Sequence, residues 1–229
     1  RSSDLGQTNQ ARRHHRSLGD GIVFSEECIG YMLRLLDKHK DATEIGILNY
    51  HKGRLAAMTR MITPILIPLS DASFETLVDR DAGVAFDLDG SGLSRRWGWI
   101  TPKAAWLVFD AKESGQITSG LQMFGNVTFW IFWRDGYQAL GSLDANGDQL
   151  LEGEELSGLA LWHDANSNGI SEPGEVKPVS AYGFDQLSCR SETIGPDLRH
   201  SLRGVRFKDG TTRPSYDWFA PMIAPAASK

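Results

Sequence analysis

Apolar residues recur at helical spacing after a polar start. Residues 1–20 are polar and basic without periodicity, which predicts a flexible N-terminal arm. Over residues 21–82, apolar positions lie three and four residues apart, and Ser25 is a candidate N-cap. The first run contains Ile29, Met32, Leu33 and Leu36. We therefore predict a mostly helical region over residues 21–82, which includes one extended piece before a short helix at Ser70 or Asp71.

From about Gly83 the pattern changes to short apolar runs that each lead into an Asp-rich loop. Four such units occur: VAFDLDGSG, AWLVFDAKESG, LGSLDANGD and LALWHDANSNG. Near the C terminus, Asp209–Gly210 between two strand-like runs predicts a β-hairpin. Together these patterns predict an α+β fold, with short helices and strands organised around Asp- and Asn-rich loops. Residues 83–229 form the predicted loop domain, and a helical segment precedes it.

The charges are unevenly distributed, and this changes the interpretation of the loops. The net charge of −5 argues against a nucleic-acid-binding protein, which usually carries a basic face. Between Arg134 and Lys177 there is no Lys or Arg, while Asp and Glu are frequent. Carboxylates at this density repel one another unless a cation neutralises them. A solvated acidic surface is the alternative, but the periodic placement favours a bound cation.

The strongest candidate is the loop over residues 164–175, here called loop 164. An EF-hand loop offers oxygen ligands for calcium from places 1, 3, 5, 7, 9 and 12, with a backbone carbonyl at place 7 and Gly at place 6. Gly169 occupies place 6 of loop 164. The predicted ligands are the side chains of Asp164, Asn166, Asn168, Glu172 and Glu175 and the carbonyl of Ile170.

Loop 144, residues 144–155, repeats the pattern twenty residues earlier. Its predicted ligands are the side chains of Asp144, Asn146, Asp148, Glu152 and Glu155 and the carbonyl of Leu150. Gln149 stands at place 6, where a positive φ would strain any residue other than Gly. The alternative is an acidic turn that leads into a helix over residues 154–162.

The two earlier loops match the calcium pattern less well. Loop 87, residues 87–98, offers Asp87, Asp89, Ser91 and the carbonyl of Leu93. It ends in Gly98 instead of Glu, so a second interpretation is an Asx-turn in which Arg95 or Arg96 replaces the cation. Loop 110, residues 110–122, carries Lys112 at place 3 and Gln122 where an acid would help, and an ammonium group opposes calcium. We expect loop 110 to keep its turn without metal.

The four motifs, in this order, resemble the EF-hand-like calcium-binding module of large secreted bacterial proteins. Related modules occur in RTX-type exoproteins and in planctomycete proteins. The resemblance covers about residues 83–188 and includes the aromatic and glycine partners Trp99, Phe124, Gly125, Asn126 and Trp162. It implies calcium binding and a secreted, periplasmic or cell-surface location, but no reaction. Some RTX relatives cleave themselves at an Asp–Pro bond, and this sequence contains no such dipeptide.

Three function hypotheses follow from the sequence. The leading one is a non-enzymatic calcium-binding protein whose fold the ions stabilise, with an unidentified protein partner. The second is an interaction subunit of a surface or membrane-associated assembly, which would use the N-terminal arm and the aromatic segment 127–133. A buried core is the alternative for that segment. The third is a hydrolase with an unrecognised active site, although familiar catalytic motifs are missing.

Two further features bear on the compartment. No apolar run is long enough for a transmembrane helix, and the first residues lack a signal core, so the protein is either not exported or a mature form. Cys28 and Cys189 would pair in an oxidising compartment, whereas in the cytosol they would be two thiols.

Overall fold

A nine-stranded antiparallel sheet dominates the structure, a computed structural model that describes residues 62–131, 133–195 and 198–223. The strand order is β5-β8-β10-β11-β1-β4-β6-β7, and β9 pairs with β10. The strands of this sheet are β1 (Ile65–Pro68), β4 (Ala104–Phe109), β5 (Leu150–Glu152), β6 (Leu159–Trp162), β7 (Val176–Pro178), β8 (Phe184–Ser188), β9 (Glu192–Gly195), β10 (Leu198–Phe207) and β11 (Thr212–Trp218).

A separate hairpin and a few helical turns complete the described part. The hairpin consists of β2 (Val78–Phe86) and β3 (Arg95–Ile100), which pair with each other. One α-helix, α1 (Gly136–Leu140), is five residues long. The 3₁₀ turns are Phe74–Thr76, Gly120–Gln122, Thr128–Trp130, Gly153–Leu156 and Val179–Tyr182.

The central strands are buried on both faces. Every residue of β4 is buried, and its side chains alternate between two hydrophobic clusters. Ala105, Leu107 and Phe109 face the cluster that includes α1, whereas Trp106 and Val108 face the cluster that includes the β2–β3 hairpin. The sheet is therefore the middle of three layers, with the hairpin on one side and α1 with the turns on the other.

The α+β class predicted from the sequence is wrong for the described part of the chain, which is mostly β-structure with one short α-helix. The predicted helix over residues 154–162 is instead a 3₁₀ turn followed by β6. Because strands buried on both faces lack polar alternation, their apolar runs do not reveal the β period. The predicted helices before residue 62 and the N-terminal arm lie outside the described residues, as does Cys28.

Other elements agree with the sequence more closely. The predicted C-terminal hairpin is confirmed, because β10 and β11 pair antiparallel and Gly210 takes a φ of +84° between them. The extended piece before the first short helix is β1, although the helix is a 3₁₀ turn with Ser73 at its N-cap. β1 lies between β11 and β4, and the boundary expected near residue 83 falls inside β2.

Within residues 62–131, 133–195 and 198–223, no helix combines the length and the apolar character needed to cross a bilayer.

Candidate calcium loops

All four Asp-rich loops share one backbone conformation. In each loop places 4 and 6 take positive φ angles, a combination that L-residues rarely adopt. The eight residues are Gly90 and Gly92, Glu113 and Gly115, Gly147 and Gln149, and Ser167 and Gly169. The repeat recognised in the sequence is therefore also a repeat of structure.

The same hydrogen bond closes each loop. The backbone N–H at place 6 donates to the carboxylate at place 1, over 3.0 Å in loop 87, 2.8 Å in loop 110, 2.7 Å in loop 144 and 2.8 Å in loop 164. The N–H at place 7 likewise donates to the side-chain oxygen at place 5 in all four loops. These bonds are local in sequence, which explains why the loop conformation follows from the motif.

Loops 144 and 164 also share their closing bonds, twenty residues apart. Glu155 accepts from the N–H groups of Ala145 at 2.8 Å and Glu152 at 3.2 Å. Glu175 accepts from the corresponding N–H groups of Ala165 at 2.9 Å and Glu172 at 3.1 Å. The place 12 carboxylate is thus folded back over the start of each loop, which is where an EF-hand loop needs it.

Loop 164 gathers the fullest set of oxygen donors. The Asp164 side chain is completely buried, and its carboxylate accepts from the N–H groups of Asn168 and Gly169. Asn166 Nδ2 donates to Glu172 at 2.9 Å, and Asn168 Nδ2 lies 3.4 Å from the same carboxylate. All five predicted side-chain ligands therefore belong to one connected group, and this donor set fits a hard cation such as calcium.

Loop 144 has the same backbone conformation as loop 164, but the side chain of one predicted ligand, Glu152, points out of the loop. Gln149 adopts a φ of +70°, which is the strained conformation that its position predicted. The Glu152 carboxylate contacts Gln186 Nε2 and lies 3.4 Å from Arg206 Nη2, so it points toward β8 and β10. The remaining predicted side chains of Asp144, Asn146, Asp148 and Glu155 stay in the loop's own hydrogen-bond network.

Arg95 occupies loop 87 in the way that the second interpretation of that loop expected. Its guanidinium forms an ion pair with the Asp89 carboxylate, which is almost fully buried. Asp87 accepts instead from the Ser119 hydroxyl at 2.8 Å, and Ser91 accepts from the Leu93 N–H. Because an arginine already neutralises Asp89 and no Glu closes the loop, its donors fit a metal poorly.

Loop 110 keeps its turn through its own side chains. The Asp110 carboxylate accepts from the N–H groups of Ser114 and Gly115 and from the Ser114 hydroxyl, all within 2.9 Å. Lys112 stands at place 3 and is exposed. The predicted turn is therefore present in loop 110.

The flanking elements are not those of a helix–loop–helix unit. Loops 87, 110 and 164 follow strands β2, β4 and β6, and loop 144 follows α1 closely. Within the described ranges, no three His, Cys, Asp or Glu side chains form a group able to hold a metal. A cation in loop 144 or 164 would therefore also depend on Asn side chains and on a backbone carbonyl.

Trp99 and Trp162, which the resemblance includes as aromatic partners without a stated role, contact predicted ligands of loop 164. Trp99 Nε1 donates to Asp164 Oδ2 at 2.6 Å, and Trp162 Nε1 lies 3.4 Å from Glu175 Oε2. Trp162 stands two residues before the loop, so its proximity was readable from the sequence. Trp99 is 65 residues away in sequence, and no local signal could have found it.

Cys189 lies behind loop 144, where its N–H donates to the Gln149 carbonyl at 2.9 Å. The side chain is half-buried. Burial raises the pKa of the Cys189 thiol to about 12, and the nearby charges of Asp144, Glu155 and Asp148 act in the same direction. At neutral pH the group is therefore a thiol, which does not provide the thiolate that metal binding requires.

A second buried polar cluster surrounds the start of α1. Asp135 caps the helix by accepting from the Gln138 N–H, and Asp217 accepts from the Gly136 N–H at 2.9 Å. Arg199 Nε lies 3.4 Å from Asp135. Burial raises the pKa of Asp217 to about 8; the Gly136 hydrogen bond opposes this effect, and the negative charge of Asp135 adds to it. Burial also raises the pKa of the Tyr137 hydroxyl, which donates to the Ser215 carbonyl.

Comparison with known proteins places these loops in a family. The iron-regulated protein FrpA of Neisseria meningitidis serogroup C is 29% identical over 160 residues, which cover 65% of this chain and 14% of that protein. The chain thus spans only a small part of the length of this relative. Residues 65–219, which include all four loops and every strand of both sheets, match the SPM domain. This match covers more than half of the sequence, and the chain therefore belongs to the SPM domain family.

Proposed function

We propose that this chain is a calcium-binding, non-enzymatic module in which the ions stabilise the fold. The observation that carries the proposal is the pair of loops 144 and 164, whose closing hydrogen bonds coincide twenty residues apart. Two loops that fold the same carboxylate back over the same places are hard to explain as solvated turns. The resemblance to secreted EF-hand-like modules supports the same conclusion.

The chemistry of the donors supports calcium over other metals. Each loop supplies carboxylate, amide and carbonyl oxygens, and in the described residues neither imidazole nor thiolate lies among them, which suits a hard cation. Loop 164 would use Asp164, Asn166, Asn168, Glu172, Glu175 and the carbonyl of Ile170. Loop 144 would use Asp144, Asn146, Asp148, Glu155 and the carbonyl of Leu150. Loops 87 and 110 are left out of this proposal, since Arg95 and Lys112 supply positive charge there.

The energetic scale favours a structural role over signalling. Extracellular calcium modules bind with a Kd of about 10⁻⁴ M, so millimolar calcium stabilises a folded protein by about 1.4 kcal/mol per site. Two sites would add about 3 kcal/mol, a large part of a typical folding stability of roughly 5–15 kcal/mol. A sensor would also need helix pairs that open, and the loops here follow strands or a five-residue helix.

A thermal melt in millimolar calcium against EGTA tests the proposal, combined with isothermal titration of calcium. We expect the melting temperature to rise with calcium, and the rise to disappear when Asp144→Ala and Asp164→Ala are combined. Asp209→Ala is the matched control, because Asp209 makes a similar Asx-turn, to Thr211, outside the loops. Absence of both heat and stabilisation in the wild-type chain would overturn the proposal.

The proposed location is extracellular, periplasmic or cell-surface, where calcium reaches millimolar concentration. It rests on the resemblance to secreted modules. Antibody detection of the chain in culture medium, in periplasmic extract and in cytosol tests it, and recovery in the cytosol alone would contradict it.

A second candidate function, contact with a partner protein, rests on Trp130. This residue is 58% exposed and takes a φ of +61° directly after Phe129 at +59°. Consecutive aromatic residues in the left-handed region are strained, and such strain is concentrated at functional positions. Phe129 and Trp133, by contrast, are buried in the core. Loss of a partner in a pull-down with Trp130→Ala, while Leu202→Ala retains it, would support this function.

A further inference from the structure

Loop 164 touches the β2–β3 hairpin at three places. Trp99 of β3 donates to Asp164, and the Ser167 hydroxyl donates to the Ile100 carbonyl at 3.0 Å. Gly169 lies so close to β2 that an added Cβ would come within 2.6 Å of Val84 Cγ1 and 3.0 Å of the backbone oxygen of the following residue. Both strands of the hairpin therefore meet the loop.

The hairpin has few other polar links to the main sheet. It forms its own two-stranded sheet and packs on the nine-stranded sheet mainly through side chains. Within the described residues, backbone bonds connect it to the C-terminal segment, such as the 2.8 Å bond from the Gly98 N–H to Pro221. The contacts to loop 164 are thus a substantial share of the hairpin's polar links to the rest of the protein.

The Trp99 indole is held firmly in position. The ring is fully buried, and its centroid lies 5.3 Å from Phe86, 5.3 Å from Trp106 and 5.7 Å from Trp162. Aromatic rings packed on three sides leave the indole N–H a single direction, toward Asp164 Oδ2. That oxygen also accepts from Gly169, while Oδ1 accepts from Asn168, so the orientation of the carboxylate is set from both sides.

Both ends of loop 164 are connected to the same aromatic cluster. Trp162, which packs edge-to-face against Trp99, directs its N–H toward the closing carboxylate of Glu175. Loop 144 has no such connection among its described contacts, because Asp144 and Glu155 accept hydrogen bonds from within their own loop. The two loops therefore differ in what surrounds their ligands, although their internal bonds agree.

We propose that calcium in loop 164 fastens the β2–β3 hairpin to the sheet, and that Trp99 is the positioning residue for this coupling. The proposal rests on the calcium function proposed above. Residues that orient a metal ligand through a hydrogen bond strongly affect affinity, and their loss commonly weakens binding by about 10–100-fold. Trp99 orients the Asp164 carboxylate through its indole N–H. Because Trp99 lies on β3, ion binding at loop 164 also orders the β2–β3 hairpin.

The first test measures calcium affinity loop by loop. Asp144→Ala leaves loop 164 to bind alone, and Asp164→Ala leaves loop 144. Trp99→Phe keeps an aromatic ring but removes the N–H. We expect it to weaken calcium binding about tenfold in the Asp144→Ala chain and less than twofold in the Asp164→Ala chain.

Trp97→Phe is the matched control. Trp97 is on the same strand and equally buried, but its N–H donates to the Phe86 carbonyl, away from the loop ligands. A general loss of packing would weaken binding equally in both Trp variants. Equal affinities for Trp99→Phe and Trp97→Phe in the Asp144→Ala chain would overturn the role of Trp99.

Hydrogen exchange keeps the proposal testable if Trp99→Phe does not fold. With calcium, amide exchange at Val84, Trp97 and Gly98 should slow at least tenfold in the Asp144→Ala chain and stay unchanged in the Asp164→Ala chain. Unchanged exchange in the Asp144→Ala chain with bound calcium would overturn the coupling alone. A wild-type chain that binds no calcium would overturn the proposed function and the coupling together.

Discussion

Loops 144 and 164 have nearly identical internal bonds and very different surroundings. In loop 144 the place 1 carboxylate of Asp144 is partly exposed and bonds within the loop. In loop 164 the equivalent Asp164 is fully buried and also receives the Trp99 indole. The comparison teaches that a motif specifies the loop's own conformation, whereas its position in the fold decides what the loop stabilises.

The largest expected effect separates the two place 1 carboxylates. Asp164→Ala should lower the free energy of unfolding by about 4 kcal/mol in calcium, because the buried Trp99 and Gly169 N–H groups lose their acceptor and the metal site is lost as well. Asp144→Ala should cost about 2 kcal/mol, because water reaches the freed N–H groups. Denaturant unfolding in calcium and in EGTA measures both values.

In EGTA, the free energy of unfolding of Asp164→Ala should stay well below that of the wild type. The free energy of unfolding of Asp144→Ala should come close to that of the wild type. Equal losses for the two variants in EGTA would break the comparison.

Asp217 shows what burial does to a carboxylate outside the loops. Its pKa of about 8 in the folded state exceeds the ordinary value near 4, so unfolding releases a proton between these pH values. Its contribution to stability is complete below about pH 4 and decreases as pH rises toward 8, by roughly 1.4 kcal/mol per pH unit.

Asp217→Asn should therefore gain about 3 kcal/mol over the wild type between pH 5.5 and pH 8. Urea unfolding of both chains at several pH values measures the gain. A difference that does not change with pH would show that Asp217 is already ionised in the folded protein.

Place 6 offers a pair of substitutions with opposite expected signs. Gly169→Ala should cost about 2 kcal/mol, because alanine is strained at a φ of +74° and its Cβ would press on Val84. Gln149→Gly should stabilise by about 0.5 kcal/mol, because it relieves strain at +70° at some entropic cost. Thermal melts of both variants test the pair, and destabilisation by Gln149→Gly would contradict the strain argument.

Loop 87 should lose stability when its arginine is replaced, with or without calcium. Arg95→Gln should cost about 1–2 kcal/mol, since the buried Asp89 loses its ionic partner while the arginine itself is partly exposed. Arg96→Gln is the control, because Arg96 donates to the Gly83 carbonyl and not to Asp89. Calcium should not restore the loss, because Gly98 supplies no closing carboxylate. Restoration by calcium in a thermal melt would show that loop 87 is a third metal site.

The conformation of the Asp-rich loops was easier to predict than the fold. The backbone conformation of loops 144 and 164 and the strained Gln149 follow from residues within twelve positions of one another. Glu152 was predicted to be a ligand in loop 144. Its carboxylate instead contacts Gln186 of β8 and Arg206 of β10, which are distant in sequence. In loop 87 the sequence left a cation and an arginine as alternatives, and Arg95 lies against Asp89.

The fold class failed for a reason visible in β4 and β6. Their runs AAWLVF and LALW are apolar throughout because both faces are covered, so the two-residue period of a strand is absent. A short apolar run without this period is compatible with helix or strand, and local propensity does not choose between them.

The sequence by itself determined the conformation of four loops and the turn of the C-terminal hairpin, since side-chain acceptors there meet backbone donors a few residues away. Only the tertiary structure decided the strand order, the insertion of β1 between β11 and β4, and the contact of Trp99 with Asp164. Short-range hydrogen bonds need no partner beyond their own segment. Sheet order and indole placement depend on which distant surfaces are buried together, and that is a property of the whole chain.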